Sequence, residues 1–101
     1  MRLLCSLLVI AALAGCGPVR STANLSEAEV ALEAARAAGA RDTATFEYVS
    51  AEAYLRKAKE TANRARYEAS VEFAQKATQL AKEAREKALG ASGRTSTPET
   101  P

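Results

Sequence analysis

The chain has 101 residues, no histidine or tryptophan, and 14 basic against 12 acidic residues, for a net charge of +2. This length suits one small domain, and the balanced charge lacks the basic excess that is typical of nucleic-acid-binding domains. With no histidine and only two cysteines, the chain also lacks the ligand sets of common metal sites.

The N-terminal segment, residues 1–15, has the features of a secretory signal peptide. Arg2 precedes an apolar run from Leu3 to Ala14. This run is too short for a transmembrane helix, which needs about 20 residues. We therefore predict that the segment is cleaved near residue 15. A buried N-terminal core helix is the alternative interpretation.

The end of this segment, Leu13-Ala14-Gly15-Cys16, resembles the lipobox of bacterial lipoproteins. In those proteins the cysteine sulfur is alkylated with diacylglycerol, the chain is cut just before it, and the new amine receives a fatty acid such as palmitate. The resemblance implies lipidation of Cys16, and two or three acyl chains hold a protein stably on a membrane. Ala12-Leu13-Ala14 is also an ordinary secretory cleavage site, so simple secretion with a free thiol is the competing prediction.

Two polar segments flank the central part of the chain. After the lipidated cysteine, residues 17–24 (GPVRSTAN) are predicted to form a short tether, so that residues 16–24 link lipid to domain. In lipoproteins of Gram-negative bacteria, the residue after the lipidated cysteine sorts the protein between membranes. By this resemblance, Gly17, in place of an aspartate, implies an outer membrane location facing the periplasm if the source is Gram-negative. Residues 90–101 (GASGRTSTPETP) contain no large apolar side chain and are predicted to be a disordered tail.

Residues 25–89 are predicted to form a helical domain. Its first helix is predicted over about 26–39. The domain contains no proline and is rich in alanine, glutamate, lysine, arginine and leucine, which are strong helix formers. Ser26 and Glu29 match a capping box, and Gly39 supplies a stop.

Two further helices are predicted over about 45–63 and 67–89, because small and apolar residues recur there at steps of three and four. The two stripes are out of phase, which favours a turn near residues 63–66 with Asn63 as the breaker. One continuous helix over 45–89 with a register stutter is the alternative. The first stripe is Tyr48, Ala51, Leu55, Ala58, Ala62 and Ala65, and the second is Ser70, Ala74, Ala77, Ala81, Ala84 and Ala88.

The predicted fold class is all-α. It comprises the short first helix and an antiparallel helical hairpin, which together form a small three-helix bundle with a tetratricopeptide-like turn, followed by the disordered tail. Buried alanines contribute little apolar area, so we expect marginal stability. Most of the hydrophobic stabilisation is then expected from Leu32, Leu55, Leu80, Leu89 and the five aromatic residues.

The aromatic side chains are the main candidates for contact residues. We expect Phe46 and the other four to form the core of the hairpin, with the tyrosine hydroxyls at its rim. The functional alternative is that they bind a protein partner or a ligand such as peptidoglycan or lipid. The residues concerned are Tyr48, Tyr54, Tyr67 and Phe73.

Residues 46–84, with EVALEAARAAGA before them, resemble an alanine-rich family of bacterial lipoproteins known as a domain of unknown function. The resemblance includes the preceding lipobox. The matching positions are Ala51, Tyr54, Leu55 and Ala58 on one helix and Tyr67, Ala69, Phe73, Ala74, Ala77, Ala81 and Ala84 on the next.

The functional prediction is a non-catalytic, lipid-anchored scaffold or accessory protein of the cell envelope, without cofactor or metal. Its expected contacts are the membrane, an envelope protein or a second copy of the chain, and it is not expected to bind nucleic acid. No nucleophile, base or phosphate-binding motif stands out, and paired carboxylates on a charged helix are more typical of a solvated face. The alternative is an envelope lipoprotein that binds peptidoglycan or lipid.

Overall fold

The computed structural model describes residues 2–6 and 17–96, and within these ranges all regular structure is helical. The predicted all-α class is therefore confirmed. Helix α1 covers residues 2–6. The other helices are α2 (Pro18–Ala37), α3 (Ala40–Thr43), α4 (Thr45–Asn63) and α5 (Tyr67–Ser96).

Helix α2 begins at Pro18, so the prediction of a tether up to residue 24 and a helix start near Ser26 is wrong. Proline suits the first position of a helix, where its missing N–H would have no partner. The polar residues that suggested a tether also fit the helix. The side chains of Thr22 and Asn24 donate hydrogen bonds of 2.8 Å to carbonyl oxygens one turn earlier. Ser26 lies inside the helix and does not cap it.

The end of α2 is set by Gly39. Its φ of 83° lies in the left-handed region that glycine adopts readily, and its amide donates to the Arg36 carbonyl at 3.0 Å. The short helix α3 follows directly.

The link between α4 and α5 is a turn at residues 64–66. The amides of Arg66 and Ala65 donate to the carbonyls of Thr61 and Ala62, both at 2.9 Å, which is the Schellman pattern of a helix end. Ala65 has a φ of 59° and occupies the left-handed position that glycine usually takes.

Residues 45–89 are therefore two helices, and the continuous-helix alternative is excluded. Asn63, the predicted breaker, is the last residue of α4. At the other end, α5 extends through residues 90–96, where a disordered tail was predicted. Continuing a helix needs no new nucleus, so weak helix formers can extend one that already exists. The rest of the predicted tail, residues 97–101, lies outside the described residues.

Helix α5 packs along both α2 and α4. Near its start, Ser70 contacts Ser21 of α2 and Ala58 of α4. Further along, the Lys87 ammonium lies 3.1 Å from the Glu47 carboxylate at the start of α4. Residues later in α5 thus contact residues earlier in α4.

The described core consists mainly of alanine, and its largest fully buried side chains are Ser21 and Ser70. All six residues of the predicted α5 stripe are buried, which confirms that stripe. In the α4 stripe, the last two positions are wrong, because Ala62 is half-buried and Ala65 is exposed, and Thr61 is buried instead. Ala65 lies in the turn itself, beyond the last residue of α4.

Candidate functional site

The predicted lipidation site, Cys16, and the lipobox residues Leu13, Ala14 and Gly15 lie outside the described residues. Both flanks of this segment are described. On the N-terminal side, the side chains of Leu3 and Leu4 are 81% and 66% exposed, and Cys5 is also exposed. The described part of the N-terminal segment therefore adds nothing to the core.

On the C-terminal side, Gly17 lies against the ring of Tyr67. A Cβ atom placed on Gly17 would be 3.2 Å from Tyr67 Cδ2, closer than most Cβ contacts. Glycine thus allows the start of α2 to approach the start of α5. A cleft of about 420 Å³ opens beside this contact, and Arg20, Glu68 and Glu72 contribute to its lining.

Tyr54 and Phe73 form an aromatic pair on the surface between α4 and α5. Their ring centroids are 6.2 Å apart, the planes are tilted by 32°, and both side chains are half-buried. With Ala53 and Lys57 they line a shallow apolar groove of about 290 Å³. This groove exposes aromatic surface next to a cation.

The structure does not bring the four predicted contact residues together. Tyr48 is only 4% exposed and packs among the alanines of α2, α3 and α5, where a partner cannot reach much of its ring. Tyr67 lies at the turn, Tyr54 lies midway along α4, and Phe73 lies in the second turn of α5. The prediction that all five aromatics form the core is also wrong, because Phe46 is 76% exposed.

The leucines expected to stabilise the core divide in the same way. Leu55 is buried, Leu32 and Leu80 are half-buried, and Leu89 is 45% exposed. Leu89 lies one position beyond the last alanine of the α5 stripe, on a different side of the helix from that stripe. The apolar contribution to stability is consequently smaller than the sequence suggested.

The N-terminal part of α2 could have been predicted from three small residues spaced seven apart, Ser21, Ala28 and Ala35, but this spacing was overlooked. All three are buried on one face of α2. Residues seven apart share a helix face, so this spacing could have shown that the helix starts before residue 21. The Ser21 hydroxyl lies 2.9 Å from the Ser70 hydroxyl of α5.

The Glu47 carboxylate is half-buried and pairs with Lys87. Its side chain is 19% exposed, and its Oε2 is buried without a hydrogen-bond partner. Its own backbone N–H, and then the ammonium of Lys87, hold the pKa of the Glu47 carboxyl below its ordinary value. The charged form of this carboxylate is thus favoured in the folded protein.

Residues 2–6 and 17–96 contain no cluster of three or more potential His, Cys, Asp or Glu ligands. In the same part of the chain, every helix is either too short or too polar to cross a bilayer.

No protein-family model, curated protein or solved structure matches this chain.

Proposed function

We propose that this protein is a lipid-anchored, non-catalytic helical scaffold or accessory subunit of the bacterial cell envelope, held on the membrane through Cys16. The observation that supports the proposal most directly is that the packed helices, α2 to α5, begin immediately after Cys16. Gly17 is the N-cap of α2 and contacts Tyr67, whereas Leu3 and Leu4 remain exposed. Cleavage before Cys16 would leave every described core residue in the mature chain.

The sequence around the cleavage point supplies the chemistry of the anchor. The Cys16 thiolate would be alkylated by the diacylglyceryl group of a phospholipid, whose phosphate-bearing headgroup leaves. Hydrolysis of the peptide bond before Cys16 would then free an amine, which would take an acyl group from a second phospholipid and release the lysophospholipid. The resemblance to alanine-rich lipoproteins supports this assignment. Gly17, in place of aspartate, supports an outer membrane location with the domain facing the periplasm.

The anchor is tested by comparing the two cysteines of the chain. Cys16→Ala should move the protein from the detergent-rich to the aqueous phase, because the acyl chains are lost. Cys5→Ala is the matched control and should partition like the wild type. An intact mass of the wild type should show a chain that begins at Cys16 and carries acyl groups. Unchanged partitioning of Cys16→Ala would contradict the proposal.

We further propose that α2, α4 and α5 form a small three-helix bundle in which α4 and α5 are an antiparallel hairpin. Two exposed ion pairs between helices support this arrangement. Lys59 and Glu29 are 2.9 Å apart and join α4 to α2, and Lys87 and Glu47 are 3.1 Å apart and join α5 to α4. A zero-length carbodiimide should crosslink both pairs within a monomer. Absence of both crosslinks would contradict the bundle.

The thin alanine core favours function through contacts with a second copy or an envelope protein. A domain with so little buried apolar area gains stability from association, because binding to the folded state shifts the folding equilibrium. The melting temperature of the purified protein should therefore rise with protein concentration or with an added partner. A monomer mass together with a melting temperature that concentration does not change would count against self-association.

A second candidate function is binding of peptidoglycan or lipid at the Tyr54–Phe73 groove. The half-exposed ring pair beside Lys57 favours it, since aromatic faces stack on sugars and anchor apolar groups. In a Cys16→Ala background, which lacks the proposed acyl chains, retention on purified cell wall and on lipid vesicles should fall when Tyr54→Ala is added. Phe46→Ala, at an exposed aromatic residue outside the groove, is the control. Equal retention with and without Tyr54→Ala, with both variants folded, would remove this candidate.

A further inference from the structure

The start of α2 and the turn between α4 and α5 lie at one end of the molecule. Gly17 contacts the Tyr67 ring, and the same surface depression is lined by Gly17, Ala65 and Arg66. Gly17, Arg20 and residues 64–67 are named the anchor end. The C-terminus of α2, at Ala37, lies about 30 Å away, because twenty helical residues rise 1.5 Å each.

This geometry leaves almost no chain between the proposed lipid and the packed unit. Cys16 directly precedes Gly17 in the sequence, and consecutive Cα atoms of a chain are about 3.8 Å apart. A diacylglyceryl thioether fixes its cysteine at the level of the lipid glycerol. The headgroup layer is only about 5–7 Å thick on each side of a bilayer. If Cys16 is lipidated as proposed above, the anchor end is therefore held among the lipid headgroups.

The side chains at the anchor end suit that environment. Arg20, Arg64 and Arg66 are exposed, and guanidinium groups bind phosphate in bidentate fashion. Tyr67 has the amphipathic ring that is enriched at membrane interfaces.

Helix termini and carboxylates also contribute to the electrostatic potential at the anchor end. The N-termini of α2 and α5 both lie at this end and their dipoles favour anions, whereas the C-terminus of α4, at Asn63, lies there too and has the opposite preference. Three carboxylates lie close by, and one of them, Glu72 of α5, lines the cleft beside Gly17. Glu60 is 3.6 Å from the Arg64 guanidinium, and Glu68 is the second residue of α5. The turn itself, residues 64–66, carries two arginines and no acid.

We propose that the protein stands end-on at the membrane, with the guanidinium groups of Arg64 and Arg66 bound to phosphates of the anchoring lipid layer. The groove lined by Tyr54 and Phe73 then lies above the surface, accessible from the side. The inference rests on the proposed lipidation of Cys16.

Orientation can be measured with two matched labels on the full chain. Ala65→Cys lies at the anchor end and Ala37→Cys lies at the far end, and both positions are exposed alanines. A thiol-reactive fluorophore is attached to each variant after reconstitution into vesicles of phosphatidylcholine and phosphatidylglycerol. A phospholipid with a spin label on its headgroup serves as the quencher.

We expect quenching at position 65 to be at least about threefold stronger than at position 37, because about 30 Å separates the two positions along the bundle. In the background of Arg64→Gln and Arg66→Gln, the ratio should fall below roughly twofold, since the phosphate contacts are lost. A ratio near one in the wild-type background, or a ratio unchanged by the two arginine substitutions, would overturn end-on docking.

Label stoichiometry separates this inference from the anchor proposal. The wild-type chain should take up no label, because Cys5 is removed with the signal peptide and the Cys16 sulfur is blocked. Labelling of the wild type would show a bare thiol and overturn both proposals. If the wild type takes up no label and floats with the vesicles, but the labelled Ala65→Cys and Ala37→Cys variants are quenched equally, end-on docking alone is overturned.

Discussion

The hydroxyl oxygens of Ser21 and Ser70 lie 2.9 Å apart in the core, although 49 positions separate these residues in the sequence. Ser70 donates its only proton to the Ala58 carbonyl at 2.9 Å, so Ser21 must be the donor to Ser70. This chain of hydrogen bonds joins α2, α5 and α4 near the anchor end. It also allows the two largest fully buried side chains to be polar in a core of methyl groups.

The direction of this chain predicts unequal effects of two similar substitutions. Ser70→Ala leaves the buried Ser21 hydroxyl without an acceptor and should lower the free energy of unfolding by about 1–3 kcal/mol. Ser21→Ala leaves the bond to Ala58 intact and should cost about 1 kcal/mol or less. The double variant should cost less than the sum, because no hydroxyl is stranded. Urea denaturation of the four proteins tests this, and additive effects would contradict the proposed direction.

Tyr48 and Tyr54 should respond differently to truncation. Tyr48 is buried among alanines, so Tyr48→Ala should lower the free energy of unfolding by about 3–5 kcal/mol, as for other large-to-small core substitutions. Tyr54 is half-exposed, and Tyr54→Ala should cost roughly 1 kcal/mol. Thermal denaturation measures both. Equal losses of stability would mean that Tyr48 is not the main aromatic residue of the core.

The left-handed residue of the α4–α5 turn offers a stabilising substitution. Ala65 has a φ of 59°, a conformation that strains a residue with a Cβ atom, so Ala65→Gly should stabilise the protein by about 0.5–1 kcal/mol. The same substitution at Ala53, an exposed position inside α4, should destabilise by about 1 kcal/mol. Opposite shifts in melting temperature are expected. A loss of stability in Ala65→Gly would contradict the turn geometry.

The Glu47 carboxylate predicts an acid-sensitive contribution to stability. Its pKa is lower in the folded protein than its ordinary value, so the unfolded chain binds the proton more readily. The stabilisation is present above the ordinary carboxyl pKa of about 4.3 and is lost as the pH falls through the lower folded-state pKa. Glu47→Gln should therefore lose less stability than the wild type when the pH falls from about 5 to about 3, a range that spans the ordinary carboxyl pKa.

Lys87→Gln serves as the partner control for that experiment. It removes the ammonium 3.1 Å from Glu47 and should weaken the same pH dependence without abolishing it, because the backbone contribution remains. Urea midpoints across the pH range measure the effect. An unchanged slope in Glu47→Gln would show that this carboxylate does not carry the pH dependence.

The sequence predicted the helical class and the alanine stripe of α5, because both depend on interactions between residues three or four positions apart. The start of α2 was predicted wrongly because Ser21, Thr22 and Asn24 have low helix propensity when considered alone. Their hydrogen bonds within the helix, and the contact of Ser21 with Ser70, offset that propensity. The turn near residues 63–66 was predicted from the phase shift between the two stripes, although Ala65 occupies the left-handed position where a glycine would be the usual signal.

The sequence by itself therefore determined the helical secondary structure, the small core and the lipobox-like segment, all of which depend on composition and short-range spacing. Only the tertiary structure decided which aromatic rings are buried and that Gly17 contacts Tyr67. These contacts join residues far apart in the chain, and local periodicity does not record which distant helix face each residue meets.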